Sequence, residues 1–346
     1  MPPPPEALPV QPILRLLLGE PVSAAEFSAV DWDLCARLGQ QNAVLIRLAE
    51  RLAAVGVRPP ARFADVVEGE RARGQAALDV LRHVRRTGAR HRVAWLLPKA
   101  TQRFPDLGDD LDLLVRARTV GVDRVLLEGL PVIRQPRTLA HRLAGTTVYT
   151  VLQGGIALDI HHGRVGNAGE HTRYPTHLVE SGRLTIVGGT EVFTPSPEDQ
   201  LVLQGLEKVA GRRAFHLSDV VHTVGTLRAE GLDWDYVIKT ARAHGGEAGL
   251  CCYLSYVDEI HRRVVGRPLL LPEVQRTLRI DGWGRVDFRD GAFRFPAFRV
   301  SGRLYARQLV ANVRSGRWGS AGRLCLLPFV AAAALARRAV RLRSRR

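Results

Sequence analysis

The pattern of hydrophobic and polar positions divides the chain into helical and mixed segments. Residues 24–56 carry apolar side chains at helical spacing and residues 61–87 continue the pattern, which predicts helices across the first quarter of the chain. From about residue 90 the apolar runs become short, as in LDLLV, TVYTVLQ and GIALDIHH, and these runs predict strands. The helical pattern returns at SPEDQLVLQGLEKV. We therefore expect an α+β fold.

Five consecutive regions follow from these changes in pattern. A small mixed β-sheet forms the α+β core, with further short strands at LTIVG and TEVF, and it is flanked by N-terminal helices and a C-terminal helical region. A mixed extension then combines a predicted hairpin in DGWGRVDFRDGAFRF with a helix in SGRLYARQLVANVRSG. The expected boundaries are a proline-rich leader at 1–12, N-terminal helices at 13–88, the core at 89–195, a helical domain at 196–265 and the extension at 266–346, which ends in a basic apolar helix.

The charge balance favours an anionic partner without identifying it. Lys and Arg together number 50 against 34 Asp and Glu, a formal net charge of +16, yet only three of the basic residues are lysines, a bias that a GC-rich genome also produces. A nucleotide, a phosphorylated metabolite, RNA and a membrane surface are all compatible with this excess. The N-terminal MPPPPEALPVQP lacks the basic and long apolar regions of a secretion signal, so we expect a cytoplasmic protein.

The C-terminal residues 324–346 combine an apolar stretch, LCLLPFVAAAALA, with the arginine-rich RRAVRLRSRR. The apolar stretch contains a proline and is too short to cross a bilayer. We interpret it as a terminal helix docked on the protein with a solvated basic tail. Peripheral contact of this segment with an anionic membrane is the alternative.

Carboxylates lie within an apolar run that is expected to be a buried strand. In FPDLGDDLDLLV, alternation places Asp110 and Asp112 on one face of the strand, while Leu111 and Leu113 point into the core. Two such carboxylates repel each other unless a cation lies between them, and a hard divalent metal prefers oxygen ligands. A turn cap or a solvated edge is the alternative for this motif alone. A further acid, Asp159, also lies alone in an apolar run, and this third carboxylate favours a metal site over a turn cap or a solvated edge.

These segments resemble a known family. LPKATQRFPDLGDDLDLLV, a helix ending RVLLEGL, GIALDIHH and SPEDQLVLQGLEKV follow one another as in the DNA polymerase β-type nucleotidyltransferase superfamily. More narrowly, the chain is similar to the bacterial group called uncharacterised nucleotidyltransferases. In that group a D-h-D-h-h strand, where h is hydrophobic, precedes a strand with a third aspartate, commonly as D-h-H, and helices follow. The resemblance covers roughly residues 85–260 and implies a nucleotidyltransferase core.

The resemblance also implies roles for individual residues. Asp110, Asp112 and Asp159 match the catalytic, metal-binding acids, which would hold two Mg²⁺ ions around the triphosphate of an NTP, and Asp159 would also help to activate the acceptor hydroxyl. Many superfamily members hold the nucleotide phosphates with a glycine–serine pair before the first acidic strand. Here that region reads LLPKATQ, so Lys99 and Thr101 are the expected phosphate-binding substitutes. The alternative for Lys99 is a surface lysine with a partly buried stem.

His161 follows Asp159 on the same face of the predicted strand. We assign it to the substrate site, where it orients the carboxylate or touches the acceptor, rather than to the metal. A strand-end histidine that only satisfies its own hydrogen bonds is the alternative.

The function predicted from the sequence is Mg²⁺-dependent transfer of a nucleoside monophosphate from an NTP to a hydroxyl or phosphate of an acceptor. The sequence does not identify the acceptor, since a small molecule, a peptide, a protein side chain and RNA all suit a basic surface. One alternative is a catalytically inactive binding or regulatory protein on the same scaffold, indicated by the altered LPKAT turn. The other is a basic RNA- or membrane-associated protein.

Overall fold

In the computed structural model, helices from both halves of the chain surround a small mixed sheet. No helix within the part of the chain that it describes combines the length and apolar character needed to cross a membrane. The described residues are 10–99, 104–107, 110–116, 121–166, 168–207, 214–229, 231–278, 283, 285–289 and 292–329.

Helices form the N-terminal part of the chain, as the spacing of apolar positions predicts. They are α1 (Gln11–Leu17), α2 (Trp32–Gln41), α3 (Leu45–Ala54) and α4 (Ala61–His91), with a short 3₁₀ turn at Ala24–Phe27. The carboxylate of Asp31 accepts hydrogen bonds from the backbone N–H groups of Asp33 and Leu34, and it thereby caps α2. Buried apolar residues from all four helices pack into one hydrophobic cluster with residues from the C-terminal half.

A buried aspartate ties these helices to the segment that leads into the sheet. Asp106 accepts hydrogen bonds from the backbone N–H groups of Ile46 (2.6 Å) and Arg47 (3.2 Å) in the first turn of α3. Burial raises the pKa of Asp106 to about 6, although the two hydrogen bonds oppose the shift. This contact fixes the turn before the acidic strand against α3.

Within the described residues, five strands form the central sheet. They are β1 (Trp95–Leu96), β2 (Asp110–Val115), β3 (Val132–Arg134), β4 (Thr146–Val151) and β5 (Ala157–His162). Their order in space is β1-β2-β5-β4-β3, with β2 and β5 parallel and the other neighbours antiparallel. Two short helices, α5 (Val122–Leu126) and α6 (Leu139–Ala144), lie in the connections between these strands. The predicted α+β fold with a small mixed sheet is confirmed.

The two faces of β2 and β5 differ in polarity. One face is apolar and packs with side chains of α4 and α5 in a second hydrophobic cluster, to which the strands contribute Leu111, Leu113, Val115, Leu158 and Ile160. The prediction that Leu111 and Leu113 point into the core is therefore confirmed. Because successive side chains of a strand alternate, Asp112 and Asp159 lie on the other face.

The segment 166–195 contains a helix that the sequence pattern did not predict, in addition to the two predicted short strands. Helix α7 (Tyr174–Ser181) has a proline in its first turn and buries Tyr174 and Leu178 in the same cluster as Leu96 and Leu114. The two expected strands are present as the hairpin β6 (Arg183–Val187) and β7 (Thr190–Thr194). A helix of only two turns shows too few apolar repeats for its period to be recognised.

Helices again form the C-terminal part of the chain. They are α8 (Pro197–Glu207), α9 (Leu217–Arg228), α10 (Trp234–Ala243), α11 (Glu247–Val265), α12 (Pro272–Leu278) and α13 (Ala297–Arg314), and residues 318–329 are also helical. The predicted start of α8 is confirmed: the hydroxyl of Ser196 accepts a hydrogen bond from the N–H of Asp199. Helices α8 and α11 cross at two glycines, because a Cβ on Gly249 would lie 2.1 Å from the carbonyl oxygen of Gly205.

The C-terminal extension contains the predicted hairpin. Strands β9 (Asp287–Arg289) and β10 (Ala292–Arg294) pair antiparallel, and β8 (Ala214–Phe215) adds to the other edge of β10. The helix predicted after the hairpin is α13. Most of the basic C-terminal segment predicted at 324–346 lies outside the described residues, so both of its interpretations stay predictions.

Candidate functional site

Two aspartates meet at the centre of the polar face of the sheet. Strands β2 and β5 are parallel neighbours, and their register places Asp112 directly opposite Asp159. Asp112 is buried and Asp159 is half-buried. Asp110 lies on the same face two residues earlier on β2, opposite Ala157. The three predicted acids are thus brought to one face of the sheet.

A lysine balances part of this negative charge. The Nζ atom of Lys99 lies 2.9 Å from Oδ2 of Asp112 and 3.0 Å from Oε2 of Glu207, the last residue of α8. These side chains are between 8% and 15% exposed, so the ammonium group bridges the buried carboxylate of Asp112 and the partly buried carboxylate of Glu207, and Lys99 is not a surface lysine. Burial opposes the charge of Lys99, but the two carboxylates outweigh it and raise its pKa. Lys99 therefore stays charged.

A histidine completes the group. Nε2 of His161 lies 2.9 Å from Oδ1 of Asp112, and Nδ1 lies 3.2 Å from the hydroxyl oxygen of Thr146 on β4. The ring is therefore held between two strands, beside both central aspartates. The prediction that His161 and Asp159 lie on the same face of the strand is confirmed. We call the set Lys99, Asp110, Asp112, Asp159, His161 and Glu207 the acidic centre.

The two central aspartates have opposite pKa shifts. Burial favours the neutral form of Asp112, but the charge of Lys99 and the hydrogen bond from His161 hold the pKa of this carboxyl well below its usual range. For Asp159, burial and the negative charge of Asp112 both raise the pKa. A cation placed between the two would remove the repulsion that raises the pKa of Asp159.

The donor set of the acidic centre fits a hard divalent cation. One carboxylate oxygen each from Asp112 and Asp159 and one ring nitrogen of His161 lie within 4.8 Å of one another. Carboxylate oxygens are the ligands that Mg²⁺ prefers, and the bridging Lys99 demonstrates that the site stabilises positive charge. Among the described residues of this centre the carboxylates outnumber the lysine, and a cation would neutralise part of their charge.

The matched family agrees with this geometry. A family model described as an uncharacterised nucleotidyltransferase matches residues 28–261, which is more than half of the chain. The chain belongs to this nucleotidyltransferase family. The matched range includes both acidic strands, Lys99 and Glu207. A comparison with curated proteins gave no match.

Most residues of the acidic centre were predicted from the sequence, but not all of them. The predicted lysine, aspartates and histidine lie around one point, whereas Thr101 lies outside the described residues, so its phosphate contact stays a prediction. Glu207 was not predicted. The helix that carries it was recognised, yet only the fold shows that the last residue of α8 reaches Lys99. The assignment of His161 to substrate rather than metal also stays a prediction, since its ring lies within the potential ligand group.

Proposed function

We propose that the protein is a Mg²⁺-dependent nucleotidyltransferase that moves a nucleoside monophosphate from an NTP to a hydroxyl or phosphate of an acceptor. The observation that carries this proposal is the pairing of Asp112 with Asp159 on parallel strands, in a chain of a nucleotidyltransferase family. Two Mg²⁺ ions at these acids would neutralise charge on the triphosphate and lower the pKa of the attacking hydroxyl. The reaction would break the bond between the α- and β-phosphates, form a bond from the acceptor oxygen to the α-phosphorus, and release pyrophosphate.

The surroundings of each acid support a separate role. Asp112 is ionised at neutral pH because its pKa is held low, which suits a permanent metal ligand. Asp110, on the same face of β2, is assigned as a second ligand. Asp159 has a raised pKa, and such a carboxylate suits both a metal ligand and a group that accepts the proton of the acceptor hydroxyl.

Lys99 and His161 are assigned to the substrates. An ammonium group has three N–H donors, and Asp112 and Glu207 account for two of those of Lys99. We assign the third donor to a phosphate oxygen, and this contact would replace those that a glycine–serine turn makes in other superfamily members. His161 holds Asp112 through Nε2 and lies beside Asp159, where it would orient these carboxylates and touch the acceptor.

A catalytically inactive binding protein is the second candidate, and the lysine bridge favours it. The ammonium group of Lys99 already supplies positive charge to Asp112 and Glu207, so the fold tolerates these carboxylates without a metal. This candidate predicts that any nucleotide binding is independent of Mg²⁺.

The position of a label in the product tests the proposed reaction. The protein is incubated with Mg²⁺, a cell extract as the source of acceptors, and each NTP labelled at either the α- or the γ-phosphate. Nucleotidyl transfer moves the α label to an acceptor and leaves the γ label in pyrophosphate. We expect transfer by the wild type and by Asp65→Asn, an exposed acid on α4, but none by Asp110→Asn/Asp112→Asn. Transfer of the γ label, or α-label transfer by the double variant, would refute the assignment.

A further inference from the structure

A large cavity lies on the side of the sheet opposite the acidic centre. Its volume is about 1270 Å³, and its lining includes Thr147 and Tyr149 of β4 and His162 at the end of β5. Thr146 and His161, which directly precede Thr147 and His162, point to the opposite face of the sheet, where the acidic centre lies. The cavity and the acidic centre are therefore separated by the thickness of the sheet.

Arginines converge on this cavity from separate parts of the chain. Five of them line it within the described residues: Arg124 on α5, Arg134 on β3, Arg137 before α6, Arg142 on α6 and Arg164 after β5. The acids among the lining residues are Asp123 and Glu128. Among the described lining residues, five arginines face two acids, so the positive charge exceeds the negative charge. Glu128 also lies 2.9 Å from Nε2 of His91.

The other acid is engaged by its neighbours. The hydroxyl of Tyr149 donates to Oδ2 of Asp123 (2.9 Å), and Nε2 of His162 lies 3.2 Å from Oδ1. Burial favours the neutral form of Asp123, but His162 and Tyr149 hold the pKa of this carboxyl below its ordinary value. Asp123 therefore anchors the wall of the cavity as an ion, and the arginines around it remain the groups that face a ligand.

We propose that this arginine cavity binds a small anion that carries at least two phosphate groups. Guanidinium groups bind phosphate oxygens in a bidentate manner, and convergence on a concave volume suits a small ligand, whereas a polymer is recognised by a stripe of basic residues. The acidic group Asp112, Asp159 and His161 lies on the other face, so the phosphates would be held by arginines without a metal. The inference does not depend on the proposed transfer reaction.

Calorimetric titration with inorganic tripolyphosphate, in EDTA and at physiological salt, tests the proposal. EDTA removes the divalent cations through which the acidic centre would bind a triphosphate. We expect saturable binding with one ligand per chain, weakened at least tenfold in Arg134→Gln/Arg137→Gln. The control pair Arg58→Gln/Arg183→Gln removes the same charge from exposed positions outside the cavity and should bind like the wild type. Thermal unfolding verifies that each variant is folded.

Further variants keep the result decisive. Arg134→Lys/Arg137→Lys preserves charge but not the planar fork, so it should fall between the wild type and the glutamine pair. Absence of binding, or equal weakening by the control pair, would overturn the proposal. Binding of a single-stranded RNA homopolymer that tripolyphosphate does not displace would also overturn it, in favour of a polymer surface.

Discussion

Two consecutive histidines of β5 have nearly the same immediate contacts and opposite surroundings. His161 lies 2.9 Å from a carboxylate oxygen of Asp112 and 3.2 Å from the hydroxyl of Thr146. His162 lies 3.2 Å from Asp123 and 3.3 Å from the hydroxyl of Thr147. Among the residues that the structure describes, carboxylates are in excess around His161 and arginines are in excess around His162. The first environment suits a cation and the second an anion. The contact of a histidine with an aspartate and a threonine, which both faces share, therefore does not determine the ligand.

The aspartates of the two faces show the same contrast. Asp159 and Asp123 are both half-buried. Burial raises the pKa of Asp159, and the neighbouring anion Asp112 adds to the shift. Burial acts in the same direction on Asp123, but His162 and Tyr149 reverse it and lower the pKa. The hydrogen bonds and charges of the nearest groups, rather than the depth of burial, distinguish the two aspartates.

The largest expected effect is on the acidic face. Asp112→Asn removes a metal ligand and leaves the charge of Lys99 less balanced, so we expect Mg²⁺-dependent binding of a non-hydrolysable NTP analogue to weaken more than a hundredfold, or about 3 kcal/mol. Isothermal titration with and without Mg²⁺ measures this. Asp65→Asn is the matched control and should bind normally. Equal binding with and without Mg²⁺ in the wild type would instead support the inactive-protein candidate.

The second largest effect is expected on the free energy of unfolding, when the lysine bridge is removed. Lys99→Met leaves the buried Asp112 and the partly buried Glu207 without their shared cation, so we expect the free energy of unfolding to fall by about 2 kcal/mol without Mg²⁺. Added Mg²⁺ should recover part of the loss, because it supplies the missing positive charge. Urea unfolding with and without Mg²⁺ measures both effects. Lys239→Met, at an exposed position on α10, is the control, and a loss of the same size there would contradict the account.

The two histidines allow a direct comparison of the faces. We expect His161→Gln to weaken Mg²⁺-dependent binding of the NTP analogue about tenfold, because the ring orients Asp112. His162→Gln should leave that binding unchanged within a factor of about two. Parallel titrations of the two variants check this. A larger effect from His162→Gln would show that the faces are not independent.

The smallest expected effects are changes of opposite sign in the free energy of unfolding when Asp159 and Asp123 are replaced. At neutral pH and without metal, Asp159→Asn should stabilise the fold because it removes a disfavoured charge, whereas Asp123→Asn should destabilise it because it removes a favoured one, each by about 1 kcal/mol. Urea unfolding of both variants measures these changes. Shifts of the same sign would contradict the assigned surroundings.

The pH dependence of the free energy of unfolding should show the same contrast between Asp159 and Asp123 in the wild type. The folded pKa of Asp159 is raised, so its contribution to stability falls as the pH rises from the ordinary value of 3.8 through the folded pKa. The folded pKa of Asp123 is lowered, so its contribution is present above 3.8 and is lost as the pH falls through the folded pKa. Unfolding curves of each variant against pH, compared with the wild type, separate the two contributions.

The sequence predicts the features that depend on strand period. Alternation in DLDLLV correctly separates Asp110 and Asp112 from the core-facing Leu111 and Leu113. The short apolar run GIALDIHH correctly predicts a strand that carries a single acid, and the structure places this strand parallel to β2. These are local patterns, and a strand keeps them whatever its partners are.

The features that the sequence does not predict depend on contacts between distant segments. Glu207 reaches Lys99 only because the end of α8 approaches the chain after β1. The arginines of the cavity are spread over residues 124–164 and are inconspicuous in a chain with so many arginines. Periodicity carries no information on such convergence, which only the packing of elements creates.

The most direct test of the central claim is the position of a bound metal. Crystals grown with Mn²⁺, which replaces Mg²⁺ in oxygen-ligand sites, and a non-hydrolysable NTP analogue provide an anomalous difference map. The account predicts a peak within about 2.5 Å of carboxylate oxygens of both Asp112 and Asp159, next to the triphosphate. A bound nucleotide with no peak at these two aspartates would contradict it.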